Sequence, residues 1–379
     1  MKKIAILART LGCGGTEVAM TAFINKLSSE YDVTLYLIEN DMSFQNRLTR
    51  SVKIILIDFG FYSKVIQQDI NPNGSNHSIT SLMVRVYRKI HRKNLFEAIL
   101  KKVPNIDESY DILLDFHGYG YFMTLYGIRK INARKRAMWV HDEDMSCYFK
   151  VRSYMHQYST IFCVSKAVQA AFNKQFPEIA ENTHVLYNII DIPLILERAK
   201  ELPDVDICDE KLILVSVGRL EKQKGFDIAI EVARILRNNH IDFNWYIVGD
   251  GNERDNLQSL IDSYELGDCM HLTGKMNNPL PLVNKCDLYI QPSRHEGYGI
   301  AVLEARVLHK PVISTDLPCI REQIVDGVNG YLSAFEDVDD LYMKICTCLE
   351  NNLATKLATK ILDINFDTEI NTFYNFVDT

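Results

Sequence analysis

Short β-branched runs alternate with helix-length stretches along this chain, and halfway along the alternation begins again. In the first half the runs are Lys3–Ala8, Val33–Ile38, Lys53–Asp58, Ile112–Phe116, Ala137–His141, Ile161–Val164 and His184–Tyr187. In the second they are Leu212–Val217, Trp245–Val248, Met270–Leu272, Asp287–Gln291, Pro311–Ser314 and Tyr331–Leu332. Parallel strands need long crossovers, and helices supply them, so this pattern predicts doubly wound parallel sheets. A chain of 379 residues exceeds one ordinary core. The expected fold class is α/β, with two Rossmann-like domains. Charge and composition shift after Asn188, and Asp191–Glu210 is acidic and broken by proline, which marks a linker and the entry to the second domain. The expected domains are 1–188 and 189–365. A tail over about 366–379, carrying Phe373, Tyr374 and Phe376, is expected to form a helix that packs back on the first domain. Residues 65–80 are polar and turn-rich and read as a loop.

Several classes fall away on composition. Hydrophobic content of 47% with 24% charged residues is that of a globular protein. No apolar run approaches the roughly 20 residues of a membrane-spanning helix. The apolar start Ile4–Ala8 ends at Arg9, too short for a signal peptide, and reads as a first strand. The 9 cysteines are scattered with no Cys-x-x-Cys, as expected of buried thiols in a reducing cytoplasm. The charge is uneven. Residues 1–188 hold 24 Lys and Arg against 17 Asp and Glu, a formal +7, while the rest holds 18 against 32, or −14. Basic residues gather at Arg85, Arg88, Lys89, Arg92, Lys93, Lys101 and Lys102, and again at Arg129, Lys130, Arg134, Lys135 and Arg136. Leu82, Val86 and Ile90 give the first cluster an apolar side. It reads either as a basic amphipathic helix resting on an anionic membrane or as a core-packed helix with a solvated basic face. The chain is acidic overall and shows no nucleic-acid-binding motif, so nucleic acid is not an expected partner.

The chemistry concentrates where strands end. Two glutamates, Glu296 and Glu304, flank Gly297-Tyr298-Gly299-Ile300 after the run Asp287–Gln291. Glu296 falls in the loop at a strand's carboxyl end, and Glu304 falls in the helix that follows. Ligands of open α/β sheets bind at that end, and a helix N-terminus there attracts anions. Gly297 and Gly299 let the backbone approach a ligand closely. A carboxylate accepts from paired hydroxyls, so this loop suits a ligand that is part phosphate and part polyol, such as a nucleotide sugar. After Leu212–Val217, Arg219 and Lys224 flank another strand-end loop and offer cations to a diphosphate. Gly14 and Gly15 form a glycine-rich turn before a helix, and Gly249 ends a further strand. His141 ends Ala137–His141 and is placed to reach a sugar hydroxyl or a backbone carbonyl. Asp142-Glu143-Asp144 reads as a metal grip or as a helix cap, and the cap is preferred.

In order along the chain, these elements resemble the family-4 glycosyltransferases of the two-domain GT-B architecture. The matching pieces are Gly14-Gly15-Thr16-Glu17, Trp139-Val140-His141, Val185-Leu186-Tyr187-Asn188, Val217-Gly218-Arg219-Leu220 with Lys224-Gly225, and Val248-Gly249-Asp250-Gly251. Asn278-Pro279, Pro292-Ser293 with Glu296-Gly297 and Gly299, Glu304-Ala305, and Glu322 with Asp326-Gly327 and Asn329-Gly330 complete them. The resemblance is strongest over residues 212–332.

The resemblance implies two sheets facing each other across a cleft that holds a nucleotide sugar, a UDP-sugar first among them. It implies a retaining transferase acting on a hydroxyl of a glycan or lipid-linked acceptor, in surface polysaccharide synthesis, at a cytoplasmic site peripheral to the inner face of the plasma membrane. It implies no metal and no cofactor beyond the donor. Arg219 and Lys224 would hold the diphosphate and Glu304 the ribose. Glu296 would contact the sugar, helped by the Gly297, Tyr298, Gly299 and Ile300 backbone. Gly14 and Gly15 would abut the phosphates, and His141 would lie by the sugar. The alternatives are a non-catalytic GT-B partner subunit and a nucleotide-sugar epimerase or hydrolase on the same fold. A nicotinamide-dependent dehydrogenase is not supported, because neither half has Gly-x-Gly-x-x-Gly.

Overall fold

A computed structural model describes residues 1–12, 14–70, 86–87, 89–90, 95–118, 120, 122–207, 210–350 and 366–378. The chain divides into two compact units, Met1–Tyr187 with Glu369–Thr379, and Asn188–Thr368.

The first unit is built on a seven-stranded parallel sheet. Its strands are β1 (Lys3–Ala8), β2 (Asp32–Leu37), β3 (Lys53–Leu56), β4 (Ile106–Asp115), β5 (Ile131–Val140), β6 (Thr160–Cys163) and β7 (Thr183–Val185). They lie in the order β3-β2-β1-β4-β5-β6-β7. Ile4 to Ala8 are wholly buried, as a central strand covered on both faces requires. The strands β4 and β5 are ten residues each, about twice the predicted length. Their N-terminal halves carry Asp107, Glu108, Arg134 and Lys135, which break the apolar run that sequence reading follows. Pairing continues because Tyr110 meets Ala133 and Ile112 meets Lys135 in register. The second basic cluster is therefore partly structural. Lys135 Nζ donates to the Phe376 carbonyl at 3.1 Å, and Lys130 Nζ to Asn105 at 2.9 Å.

The helix Asp367–Asp378 packs on this same unit. Phe373 is fully buried, 4.9 Å from the Phe23 ring and 5.7 Å from that of Phe162. Residues 65–70, expected in a loop, belong to the helix Phe61–Ile70, with Val65 and Ile66 buried. The remainder of that polar stretch lies outside the described residues, as do Leu82, Arg85, Arg88, Arg92 and Lys93. Of the first basic cluster, Lys89, Lys101 and Lys102 are described and exposed, and the helical Val86 and Ile90 beside Lys89 are 48% and 71% exposed.

The second unit carries a six-stranded parallel sheet. Its strands are β8 (Leu212–Val217), β9 (Phe243–Val248), β10 (Met270–Gly274), β11 (Leu288–Gln291), β12 (Val312–Thr315) and β13 (Tyr331–Ser333), ordered β10-β9-β8-β11-β12-β13. Its core gathers Leu214, Phe226, Ile230, Trp245 and Leu288 between the sheet and the helix Phe226–Asn238. The stretch after Asp191 contains a capped helix as well as a connection. Asp191 Oδ1 accepts from the Leu194 N–H at 3.0 Å, and Pro193 sits in the first turn of Ile192–Arg198. Asn278 Nδ2 donates to the Arg198 carbonyl at 2.9 Å and ties that helix to the second unit. Among the described residues, no helix is long and apolar enough to cross a membrane.

Candidate functional site

In each sheet the strand order reverses direction at one place. In the second unit this is between β8 and β11, with β9 and β10 on one side and β12 and β13 on the other. At such a switch point the loops leaving the two strands diverge and leave a crevice for ligands. Here β8 delivers Gly218 to Gly225, and β11 delivers Pro292 to Gly299.

The two loops meet through an ion pair. Lys224 Nζ lies 2.7 Å from Glu296 Oε1, with only 16% and 9% of the two side chains exposed. Ser293 Oγ donates to the same Oε1 at 2.7 Å. Gln291 Nε2 donates to Ser293 Oγ at 2.9 Å, and the Tyr289 hydroxyl to Gln291 Oε1 at 2.8 Å. A buried relay of polar side chains thus fixes the Glu296 carboxylate from behind. Burial, then the negative charges of Glu304 and Glu296, push the Tyr289 hydroxyl well above its ordinary pKa. Both glutamates therefore act on one buried hydroxyl. Glu304 is the fifth residue of the helix Ile300–Val307, whose N-cap is Gly299.

Arg294 staples the two loops. Its guanidinium forks onto Asp227 at 2.7 and 2.8 Å, donates to the Lys222 carbonyl at 2.9 Å and pairs with Glu336. Burial works against the Asp227 carboxylate, but the Arg294 hydrogen bond and charge outweigh it and hold its pKa below the usual range. Gly225 completes the turn at φ +66°, where an added Cβ would collide with the Pro292 carbonyl oxygen. No other residue lets the β8 loop come this close to the β11 loop.

Lys224 and Glu296 are brought together, and Glu304 acts on the same Tyr289 hydroxyl as Glu296, but Arg219 does not join them. Its side chain is 69% exposed and pairs with Glu221 at 2.9 Å. Gly249 closes β9, its N–H donating to the Gly274 carbonyl at 3.0 Å. Tyr298 and Ile300 are each 9% exposed, so Gly297 to Ile300 form a packed loop and not a free one.

The first unit reverses between β1 and β4. After β1, Gly14 is the extended N-cap of the helix Gly15–Leu27. Thr10 Oγ1 donates to Glu17 at 3.3 Å, and burial raises the Glu17 pKa. After β5, His141 shares a 2.9 Å hydrogen bond with the Phe116 carbonyl through Nε2. A carbonyl only accepts, so Nε2 carries the proton of the neutral ring. Burial pulls its pKa down to about 4, partly offset by this bond and by Asp142, so the ring is neutral near pH 7. A second histidine stands beside it. His117 lies just past β4, its ring 5.9 Å from that of His141, and its Nδ1 accepts from the Arg9 N–H at 3.3 Å. Burial, then the charges of His141 and Arg9, lower its pKa well below the ordinary value. Sequence reading missed His117 because it stopped the strand at Phe116, although a polar residue just after an apolar strand is the same signal that found His141.

Asp142 and Asp144 close successive turns, accepting from the Asp144 and Ser146 N–H groups at 2.8 and 2.9 Å. Among the described residues no group of three or more His, Cys, Asp or Glu is arranged to hold a metal ion.

Two Rossmann-like parallel-sheet units, the second with a cation–carboxylate pair at its switch point, are the GT-B architecture. Residues 197–362, which lie in the second unit, match the family Glycosyl transferases group 1. The chain thus has the GT-B fold, and it is its second unit that carries the match to Glycosyl transferases group 1. It is similar to TarM of S. aureus, solved with Fondaparinux, alpha-GlcNAc-glycerol and UDP, at a TM-score of 0.73 and 14% identity over 100% of both chains. HepE of Anabaena in complex with UDP-glucose gives a TM-score of 0.72 at 19% identity, again over 100% of both. At these identities the likeness establishes the fold. Among curated sequences, the poly(ribitol-phosphate) alpha-N-acetylglucosaminyltransferase of Staphylococcus aureus is 23% identical over 76% of this chain and 59% of its own length. The chain spans less than two thirds of the curated relatives named here, and only 35% of the alpha-D-kanosaminyltransferase of Streptomyces kanamyceticus.

Proposed function

We propose that this chain is a retaining glycosyltransferase that moves a sugar from a nucleotide donor, a UDP-sugar, to a hydroxyl of a glycan or lipid-linked acceptor without a metal ion. The observation that carries the reading is the Lys224–Glu296 pair, held at the switch point of the unit that matches Glycosyl transferases group 1. The choice of UDP is supported by the similar proteins solved with UDP or UDP-glucose.

As the bond from the sugar to the diphosphate breaks, negative charge grows on the leaving phosphate. Lys224 and Arg219 are the cations for it, acting as fixed and mobile partners respectively. Arg219 would leave Glu221 to do so. The Glu304 carboxylate accepts from the ribose hydroxyls, and Glu296 contacts the sugar. Gly14, Gly15 and Gly249 give close backbone approach to the donor. In a same-face substitution the departing phosphate oxygen takes the acceptor's proton, so no strongly basic side chain is required. Neutral His141 fits a role as hydrogen-bonding partner to the sugar better than one as a cation.

A thermal-shift series with UDP, GDP, ADP and their sugar conjugates, run in EDTA, tests this. A selective rise with UDP and a UDP-sugar is expected, since a ligand that prefers the folded state stabilises it by mass action. No rise with any of them overturns the reading, and a rise that needs added Mn²⁺ overturns its metal independence.

The acceptor side includes an anionic lipid surface met by the basic stretch around Lys89. Exposed Val86 and Ile90 beside Lys89 support this. Binding to phosphatidylglycerol-containing vesicles should fall when Arg85, Arg88, Lys89, Arg92 and Lys93 are neutralised; unchanged binding removes this contact.

A further inference from the structure

Arg306 is a buried cation in an unusual setting. It lies in the last turn of Ile300–Val307, is 5% exposed and pairs with no carboxylate among the described residues. Burying a guanidinium without an anion is costly, and burial pulls its pKa below the ordinary value. Its Nη1 instead points at Gln323 Oε1, 3.5 Å away. The other end of that amide, Nε2, donates to the Tyr298 carbonyl. The amide has one favourable orientation here. Flipped, it would set NH₂ against guanidinium and oxygen against carbonyl. Arg306 therefore selects the orientation in which Gln323 holds Tyr298. Asn329 Nδ2 fixes Gln323 in turn, donating to its carbonyl at 3.1 Å.

A second contact holds the same loop. Cys319 Sγ donates to the Glu296 carbonyl at 3.2 Å. All peptide bonds here are trans, so each carbonyl points opposite to the N–H of the next residue. With the Tyr298 carbonyl drawn toward Gln323, the N–H of Gly299 faces the other way. Gly299 is held at φ +83°, its Cβ position only 2.8 Å from Ile320 Cδ1.

We infer that Arg306 and Gln323 are positioning residues that, through the Tyr298 carbonyl, aim the Gly299 N–H at a hydroxyl of the donor sugar. This deepens the reading above and rests on it. The nucleotide portion, held by Glu304 and the cations, should feel the pair little, while the sugar should feel it directly.

Calorimetry on the full chain separates the possibilities, with UDP, UDP-glucose and UDP-N-acetylglucosamine as probes. Arg306→Met keeps the bulk and removes the donor. Gln323→Glu keeps a partner for Arg306 and removes the bond to Tyr298, so it carries the test if Arg306→Met fails to fold. Each variant is expected to weaken the bound UDP-sugar about tenfold, the size of one well-placed hydrogen bond, while UDP affinity changes less than about twofold. If folded variants lose UDP and UDP-sugar affinity alike, or lose neither, the pair is only structural and the inference is wrong. If the wild-type chain binds UDP but both variants match it with every sugar conjugate, the inference fails while the donor reading stands. If the wild-type chain binds none of the probes, the proposed donor fails and this inference falls with it.

Discussion

Lys224 and Glu296 are 72 residues apart in the chain and 2.7 Å apart in space. They leave neighbouring strands on the two sides of the point where the sheet reverses, so the pair exists only because β8 and β11 are adjacent. A bound diphosphate would compete with Glu296 for the Lys224 ammonium.

Lys224→Ala should weaken UDP binding at least tenfold and lower stability by about 2 kcal/mol, because it strands a mostly buried carboxylate. Glu296→Gln should retain UDP affinity but lose most turnover. Calorimetry and initial rates read the two effects separately, and unchanged UDP affinity in Lys224→Ala would remove it from the diphosphate clamp.

Ser293→Ala tests the relay behind Glu296. The hydroxyl touches no expected ligand and serves to hold Glu296 Oε1. Its loss should reduce kcat/KM about tenfold and leave UDP affinity intact. Wild-type turnover would mean that the Glu296 position is set by Lys224 alone.

Gly225→Ala should be among the most damaging single-methyl additions. The backbone conformation alone costs about 1–3 kcal/mol, and the collision with Pro292 pushes the two loops apart. Urea unfolding should show the loss, and a stability equal to wild type would mean the β8 loop has another stable conformation.

Asp115 gives a pH signature. It is fully buried, with the Tyr158 hydroxyl donating to it at 2.9 Å. Burial raises its pKa to about 6, against the polar groups of Thr124, Tyr158 and Gly118 around it, which favour the anion. The folded-state pKa thus exceeds the unfolded one, so the group's stabilising contribution is complete below about pH 4 and is lost as pH rises through 6. Asp115→Asn removes that loss. Its stability relative to wild type should rise between pH 4 and 6, by at most about 1.4 kcal/mol per pH unit, and level off above. The depressed histidines act in the opposite sense but are common to both proteins. A pH-independent difference in urea midpoints would show that Asp115 is not buried as an acid.

How much the sequence revealed follows from the range of the forces involved. Strand positions were legible because burial imposes apolar runs on neighbouring residues. Loops at strand ends were legible because glycine and charge cluster there. That found Glu296, Lys224 and His141. Tyr289, Gln291 and Ser293 carry a weaker signal, alternate positions with polar atoms on one strand face, but nothing local says that they point at Glu296.

The sequence by itself determined two doubly wound sheets, the strands that build them, and a carboxylate loop followed by a helix. Each depends on residues near one another in the chain. Only the tertiary structure decided that Lys224 meets Glu296 while Arg219 stays with Glu221, that Arg294 joins two loops, that His117 stands by His141, and that Arg306 is buried against Gln323. Those contacts depend on which strands become neighbours and which side chains are denied water, and both are settled by the packing of the whole sheet.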